Sequence, residues 1–143
     1  MKSFQNKVAV ITGTGSGIGQ ELALQLAQRG ARLALSDLNP DGLAETAARI
    51  ASQDGQVHTY LTDVAEREQM YQLAEDVIRD FGQVDILVNN AGVTLTPKLF
   101  DEITDKQFEW LISINMWGVF NGVRAFLPHL RKDRYFPTVS LTS

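Results

Sequence analysis

Between residues 7 and 92 the chain runs three times through one pattern, an apolar run of strand length followed by a longer segment of helical period. "KVAVIT" (7–12) reads as a buried strand, and "GIGQELALQLAQRG" (17–30) places Ile18, Leu22, Ala23 and Leu26 on one helical face and stops at Gly30. "ARLALSD" (31–37) is a second strand, followed by a helix in "NPDGLAETAARIASQDG" (39–55) with Asn39 as N-cap, Pro40 in the first turn and Gly55 at the close. A short strand (56–61), a helix (66–82) and the strand "VDILVNNAG" (84–92), which ends in a turn-forming cluster, complete the series. Beyond Pro97, "TDKQ" (104–107) has capping-box spacing and opens a long helix, 105–132, that Pro128 should kink; "FPTVSLTS" (136–143) supplies a fifth strand. Strands joined through helices run parallel with right-handed crossovers. The expected fold is therefore α/β: a doubly wound parallel sheet, Rossmann-like, strand order 3-2-1-4-5, in three α/β/α layers. Its ligand crevice falls beyond the ends of strands one and four, where the chain reads "TGTGSGIG" and "NNAG".

At 143 residues the chain suits a single domain, 1–143. Thirteen basic against 17 acidic residues give a net charge of -4 with no basic stripe, which argues against nucleic acid as a partner. The absence of cysteine removes disulfides, thiolate nucleophiles and zinc–thiolate sites. His58 and His129 have no clustered ligand partners, so no metal is expected. "MKSFQNK" lacks an apolar signal core and no apolar run reaches membrane-spanning length, so a cytoplasmic protein that does not engage membranes is expected.

Glycines at 13, 15, 17 and 19 miss the spacing GxGxxG, and no Lys-Ser or Lys-Thr pair follows them as a Walker loop requires. They fit TGxxxGxG instead, through Thr12, Gly13, Gly17 and Gly19. Gly13 can take backbone angles closed to other residues, Gly17 lets a phosphate approach the main chain, and Gly19 lets the helix pack closely on the strand. First-turn N–H groups would then face a pyrophosphate, with the Ser16 hydroxyl adding a hydrogen bond. The competing reading is a flexible turn with helix-packing glycines. Asp37, at the end of strand two and 18 residues beyond Gly19, stands near where an acidic residue accepts from an adenosine ribose. A 2'-phosphate would meet its charge, and neither Ser36 nor Leu38 offers a cation, so NAD is preferred over NADP. The alternative for Asp37 is a solvated turn residue before Asn39-Pro40.

Together these residues resemble the short-chain dehydrogenase/reductase family, in its N-terminal cofactor-binding part. The resemblance is carried by TGTGSGIG (12–19), Asp37, Asp63-Val64, NNAG (89–92), Asn115 in "INMWGVF" and the closing "TVSLTS". It implies that Asp63 hydrogen-bonds the adenine with Val64 packed beside it, and that Asn90 and Ala91 lie near a cofactor ribose while NNAG braces the sheet. Ile18, Leu38 and Gly92 join this cofactor-binding set by the same correspondence. It further implies that Asn115 perturbs its helix and holds a water in a proton relay; without the motif, Asn115 reads as a polar residue on a solvent face. Ser143 aligns with the serine that orients the reacting substrate oxygen. Trp110 and Trp117 read as core or subunit-interface residues, and the long helix 105–132 as the surface through which the protein forms a homo-oligomer.

The family's proton-exchanging tyrosine is followed four residues later by lysine, and that spacing gives Val64 after Tyr60, Glu75 after Tyr71 and Val139 after Tyr135. The expectation is thus the cofactor-holding part of an NAD-dependent oxidoreductase acting on a small-molecule secondary alcohol or carbonyl, with the chain truncated before the Tyr-Lys segment and inactive alone. The alternatives are a non-catalytic dinucleotide-binding or scaffold module and an adenosylmethionine-dependent methyltransferase.

Overall fold

The computed structural model describes residues 3–130 and 138–140. Five parallel strands form one sheet in the order β3-β2-β1-β4-β5, the order expected from the sequence: β1 (Val8–Thr12), β2 (Arg32–Asp37), β3 (Val57–Leu61), β4 (Ile86–Asn89) and β5 (Thr138–Ser140). The helices are α1 (Gly17–Gln28), α2 (Pro40–Ala51), α3 (Arg67–Phe81), α4 (Asp105–Ile112) and α5 (Gly118–Leu130). Central β1 is buried along its whole length because it pairs on both sides, Val8↔Arg32 through Thr12↔Ser36 with β2 and Ala9↔Ile86 through Ile11↔Val88 with β4.

Strand pleating sends alternate residues to opposite layers. Ala9, Ile11, Leu33 and Leu35 pack with Leu24, Leu43 and Ile50 of α1 and α2. Val8, Val10, Ala34 and Leu87 pack with Met70, Leu73, Val77 and Phe126 of α3 and α5. Full burial of one such aliphatic side chain is worth about 1.5–3 kcal/mol, so the two layers are the main source of the sheet's stability.

The punctuation residues act locally as their chemistry requires. Asn39 Oδ1 accepts from the amides of Asp41 (3.1 Å) and Gly42 (3.3 Å) ahead of Pro40. Thr104 Oγ1 accepts from Gln107 N at 3.2 Å while Gln107 Oε1 accepts from Thr104 N at 3.1 Å. Gly82 ends α3 in the left-handed region, φ +78°.

The strand read in 84–92 ends at Asn89, in the turn-forming cluster that the sequence shows: Asn90 N turns back to Val88 O (3.1 Å) and to Thr12 Oγ1 (3.1 Å) instead of extending the ladder. Four features depart from the sequence reading. The second helix closes at Ala51 rather than Gly55, whose amide returns to Ile50 O at 3.0 Å. Ile18 does not join the core face with Ala23 and Leu26; it is 60% exposed, on a first turn that projects past the sheet. The long helix is broken by a π-helical turn, Ser113–Trp117, between α4 and α5; Pro128 lies inside α5, and the expected end at Lys132 lies outside the described residues. Trp110 and Trp117 are not core residues, at 44% and 56% exposed.

α5 is tied to the loop after β3 by Asn121, which is buried and donates through Nδ2 to Val64 O at 2.9 Å. Asn121→Ala would strand that carbonyl at a packed interface, and the expected loss is about 2 kcal/mol. Urea unfolding should show a lower midpoint at unchanged slope.

Candidate functional site

The site starts where β1 ends. Gly13 has φ +71°, and a Cβ there would lie 2.7 Å from Ala91 Cα, so turn geometry and close approach both demand glycine. The amides of Gly13 and Thr14 both donate to Ser36 O, at 2.8 and 3.2 Å, which lays the turn against the end of β2. Gly15 N donates to Asp37 Oδ2 at 2.7 Å, and a Cβ on Gly15 would lie 2.9 Å from that oxygen. Gly17 has φ +59° with no heavy atom within 4 Å of where a Cβ would stand, leaving its main chain open. Gly19 is instead packed hard: a Cβ there would collide with Gly13 O and Asn90 Nδ2. Its role is helix-on-turn contact, behind the cleft.

Ser16 is the N-cap of α1 but makes no side-chain capping bond. The first i→i−4 bond of that helix is Gln20 N to Ser16 O at 3.3 Å, so the Gly17, Ile18 and Gly19 amides are free of it and supply the positive end of the helix.

Three further segments complete a cleft of about 500 Å³. Asp37, half-buried, accepts Asn39 N on Oδ1 at 2.9 Å, and Leu38 beside it is exposed. Asp63 Oδ1 accepts Ala65 N at 2.9 Å, which turns the chain so that buried Val64 packs on Gly118. Asn90 Nδ2 donates to Thr12 O and Gly13 O, each at 3.0 Å, and Thr12 Oγ1 accepts the amides of Asn90 (3.1 Å) and Ala91 (3.0 Å). NNAG thus braces the tips of β1 and β4 as the sequence suggested.

All the sequence-selected cofactor residues except Gly19 line this one cleft: Gly13, Ser16, Gly17 and Ile18 from the turn, Asp37 and Leu38, Asp63 and Val64, and Asn90, Ala91 and Gly92. Ser36, Thr62, Val93 and Ile114 also line it, unselected because a strand-end hydroxyl or an aliphatic has no motif of its own. Among the described residues no Lys or Arg lines it, so an anion here relies on neutral donors. Asn115 sits in the π-helical turn, with Oδ1 accepting Val93 N and Nδ2 donating to Val93 O, both at 2.8 Å. The helix is irregular where Asn115 stands, and its side chain clamps the loop after NNAG. Ser143 lies outside the described residues.

Among the described residues no cluster of His, Asp and Glu could hold a metal, and no helix is long and apolar enough to cross a membrane. His58 is exposed on β3, its Nδ1 3.7 Å from Asp80 Oδ2, and His129 sits near the end of α5; neither lines the cleft.

Residues 7–142 match the family described as short chain dehydrogenase. SadH of Mycobacterium tuberculosis is 47% identical over 130 residues, 91% of this chain and 47% of that protein. Human estradiol 17-beta-dehydrogenase 11 is 39% identical over 142 residues, 99% of this chain and 47% of that protein. Among solved structures, a short-chain dehydrogenase/reductase from Burkholderia phymatum in complex with NAD superposes with a TM-score of 0.92 at 35% identity, covering 98% of this chain and 50% of the other. NAD+-bound xylitol dehydrogenase gives a TM-score of 0.93 at 31% identity over 97% of this chain and 54% of the other. The chain spans about half the length of the relatives it matches.

Neither tyrosine among the described residues serves the cleft. Tyr71 is exposed on α3, and Tyr60 on β3 donates to Asp80 Oδ2 at 2.8 Å; Tyr135 lies outside the described residues. Burial first, then the Asp80 bond, pushes the Tyr60 phenol well above its ordinary range, while Arg79 and then Tyr60 hold Asp80 below the usual carboxylate range. A raised phenol pKa contributes stability that is complete below about pH 10 and is lost as pH climbs through the folded-state value. Tyr60→Phe should remove a phenol that ionises well above its ordinary range in an ultraviolet titration and flatten the alkaline fall in stability.

Proposed function

The chain belongs to the short-chain dehydrogenase family, and from that membership we propose that it forms the dinucleotide-holding part of an NAD-dependent oxidoreductase interconverting a secondary alcohol and a carbonyl. The observation that carries this reading is the open main chain of Gly17 at the start of α1, facing a cleft that Asp37 also lines. The donor set fits the cofactor: neutral first-turn amides for a pyrophosphate, and a carboxylate fixed by two amides with acceptor capacity left for ribose hydroxyls.

Asp37 also supports NAD over NADP. A ribose 2'-phosphate would be brought against a carboxylate in a cleft that no cation lines among the described residues, where like-charge repulsion is poorly screened. Asp63, Val64, Asn90, Ala91 and Gly92 would hold the adenine and ribose portions between them. When bound, the nicotinamide supplies hydride exchange with the substrate carbon. Ser143 would orient the substrate oxygen. Both side-chain atoms of Asn115 are committed to Val93, which leaves its main chain to hold the water of a proton relay.

No tyrosine in the sequence is followed four residues later by lysine. Turnover by this chain alone is therefore expected to fall short of a complete enzyme by about 100- to 10,000-fold, the contribution of a general acid–base group. A second reading, a dinucleotide-binding module without catalysis, would be supported by NADH binding without alcohol oxidation. Exposed Phe108, Trp110, Met116, Trp117 and Phe120 along α4 and α5 support pairing with a second copy through this surface.

Fluorescence titration tests the cradle. Asp37→Ala should weaken NADH more than NADPH, and equal losses would count against its ribose role. Gly17→Val, folded by circular dichroism, should lose most NADH affinity; undiminished binding would contradict the placement of the phosphates.

A further inference from the structure

The peptide between Thr14 and Gly15 is gripped at both ends. Its N–H donates to Asp37 Oδ2 at 2.7 Å, and its carbonyl accepts from the Thr46 hydroxyl of α2 at 2.7 Å. Thr46 is fully buried; Gly42 O, 3.0 Å away, shares its proton, and its oxygen accepts from Gln20 Nε2 of α1 at 2.8 Å. Gln20 Oε1 in turn accepts from Arg49 at 3.1 Å. α2 packs so close to the turn that a Cβ on Gly42 would collide with Gly15 O. A flip of this peptide would turn the Thr14 carbonyl toward the Asp37 carboxylate and the anion-binding turn, replacing a donor with an acceptor where negative charge gathers.

We propose that Thr46, remote from the cleft lining, is a positioning residue for dinucleotide binding: by fixing the plane of the Thr14–Gly15 peptide it holds the Asp37 carboxylate in place to receive the ribose. This rests on the dinucleotide reading above. Thr46→Val keeps the shape and removes the hydroxyl; Thr46→Ser keeps the hydroxyl.

The experiment reads Gly15 amide exchange in the ligand-free protein by NMR, NADH affinity by fluorescence and melting temperature for each variant. Thr46→Val should speed Gly15 exchange and weaken NADH by about fivefold, the equivalent of one net hydrogen bond, and Thr46→Ser should restore both. A Thr46→Val protein that melts earlier yet keeps wild-type Gly15 protection and NADH affinity would reduce Thr46 to a packing role and overturn the proposal. Wild-type protein that binds no NADH would overturn the dinucleotide reading and this proposal with it, whereas wild-type binding beside an unaltered Thr46→Val overturns this proposal alone.

Discussion

The cleft depends on how the tips of β1 and β4 are fastened. In a doubly wound sheet the connections leaving these neighbouring strands depart to opposite faces, so the tips diverge and a crevice opens between them. Here one hydroxyl and one amide close the junction: Thr12 Oγ1 takes two N–H groups from Asn90 and Ala91, and Asn90 Nδ2 returns to the carbonyls of Thr12 and Gly13. Each bond nets about 1 kcal/mol, but leaving any of these buried groups unpaired would cost more, so the four act as a set. Gly13 against Ala91 and Gly19 against Asn90 are consequences of this closure. The first turn of α1 rests on the junction, which aims its free amides into the crevice.

The charge distribution follows the same economy. With two carboxylates and no cation among the described lining residues, attraction for an anion comes from oriented amides and the helix terminus, worth roughly half an elementary charge at short range. Such donors act over a turn or less, so binding is governed by main-chain placement more than by net charge. That is why the turn is held from several sides, by Ser36 O, Asp37 and Thr46, before any ligand arrives.

Periodicity made the sheet legible, because strands buried on both faces and helices with one apolar stripe leave distinct patterns, and the order 3-2-1-4-5 then follows from crossover handedness. Caps were legible for a similar reason: Asn39 with Pro40 and Thr104 with Gln107 act within one turn of themselves. Illegible were the features decided by distant partners. The turn-forming cluster announces an end to β4, but no local pattern announces that Asn90 finds Thr12, 78 positions away. Ile18 fits the apolar stripe of its helix, but its turn lies beyond the sheet that the stripe covers. The glycine at 15 lies outside TGxxxGxG, yet its amide and its lack of a side chain both serve Asp37.

The π-helical turn shows how one rod can fix both walls of the cleft. Asn115 holds Val93 on the NNAG side, Gly118 admits Val64, Asn121 takes Val64 O, and Gly122 lies against Asn89. Positions 118, 121 and 122 follow i, i+3 and i+4 spacing, so they share one face of α5. A regular helix would advance Asn115 by a different angle relative to that face; the wider π turn brings its amide to the Val93 main chain while leaving the α5 contacts in register. The loop after β3 and the loop after β4 are therefore referred to a single element. A displacement of α5 would therefore act on both walls of the cleft together.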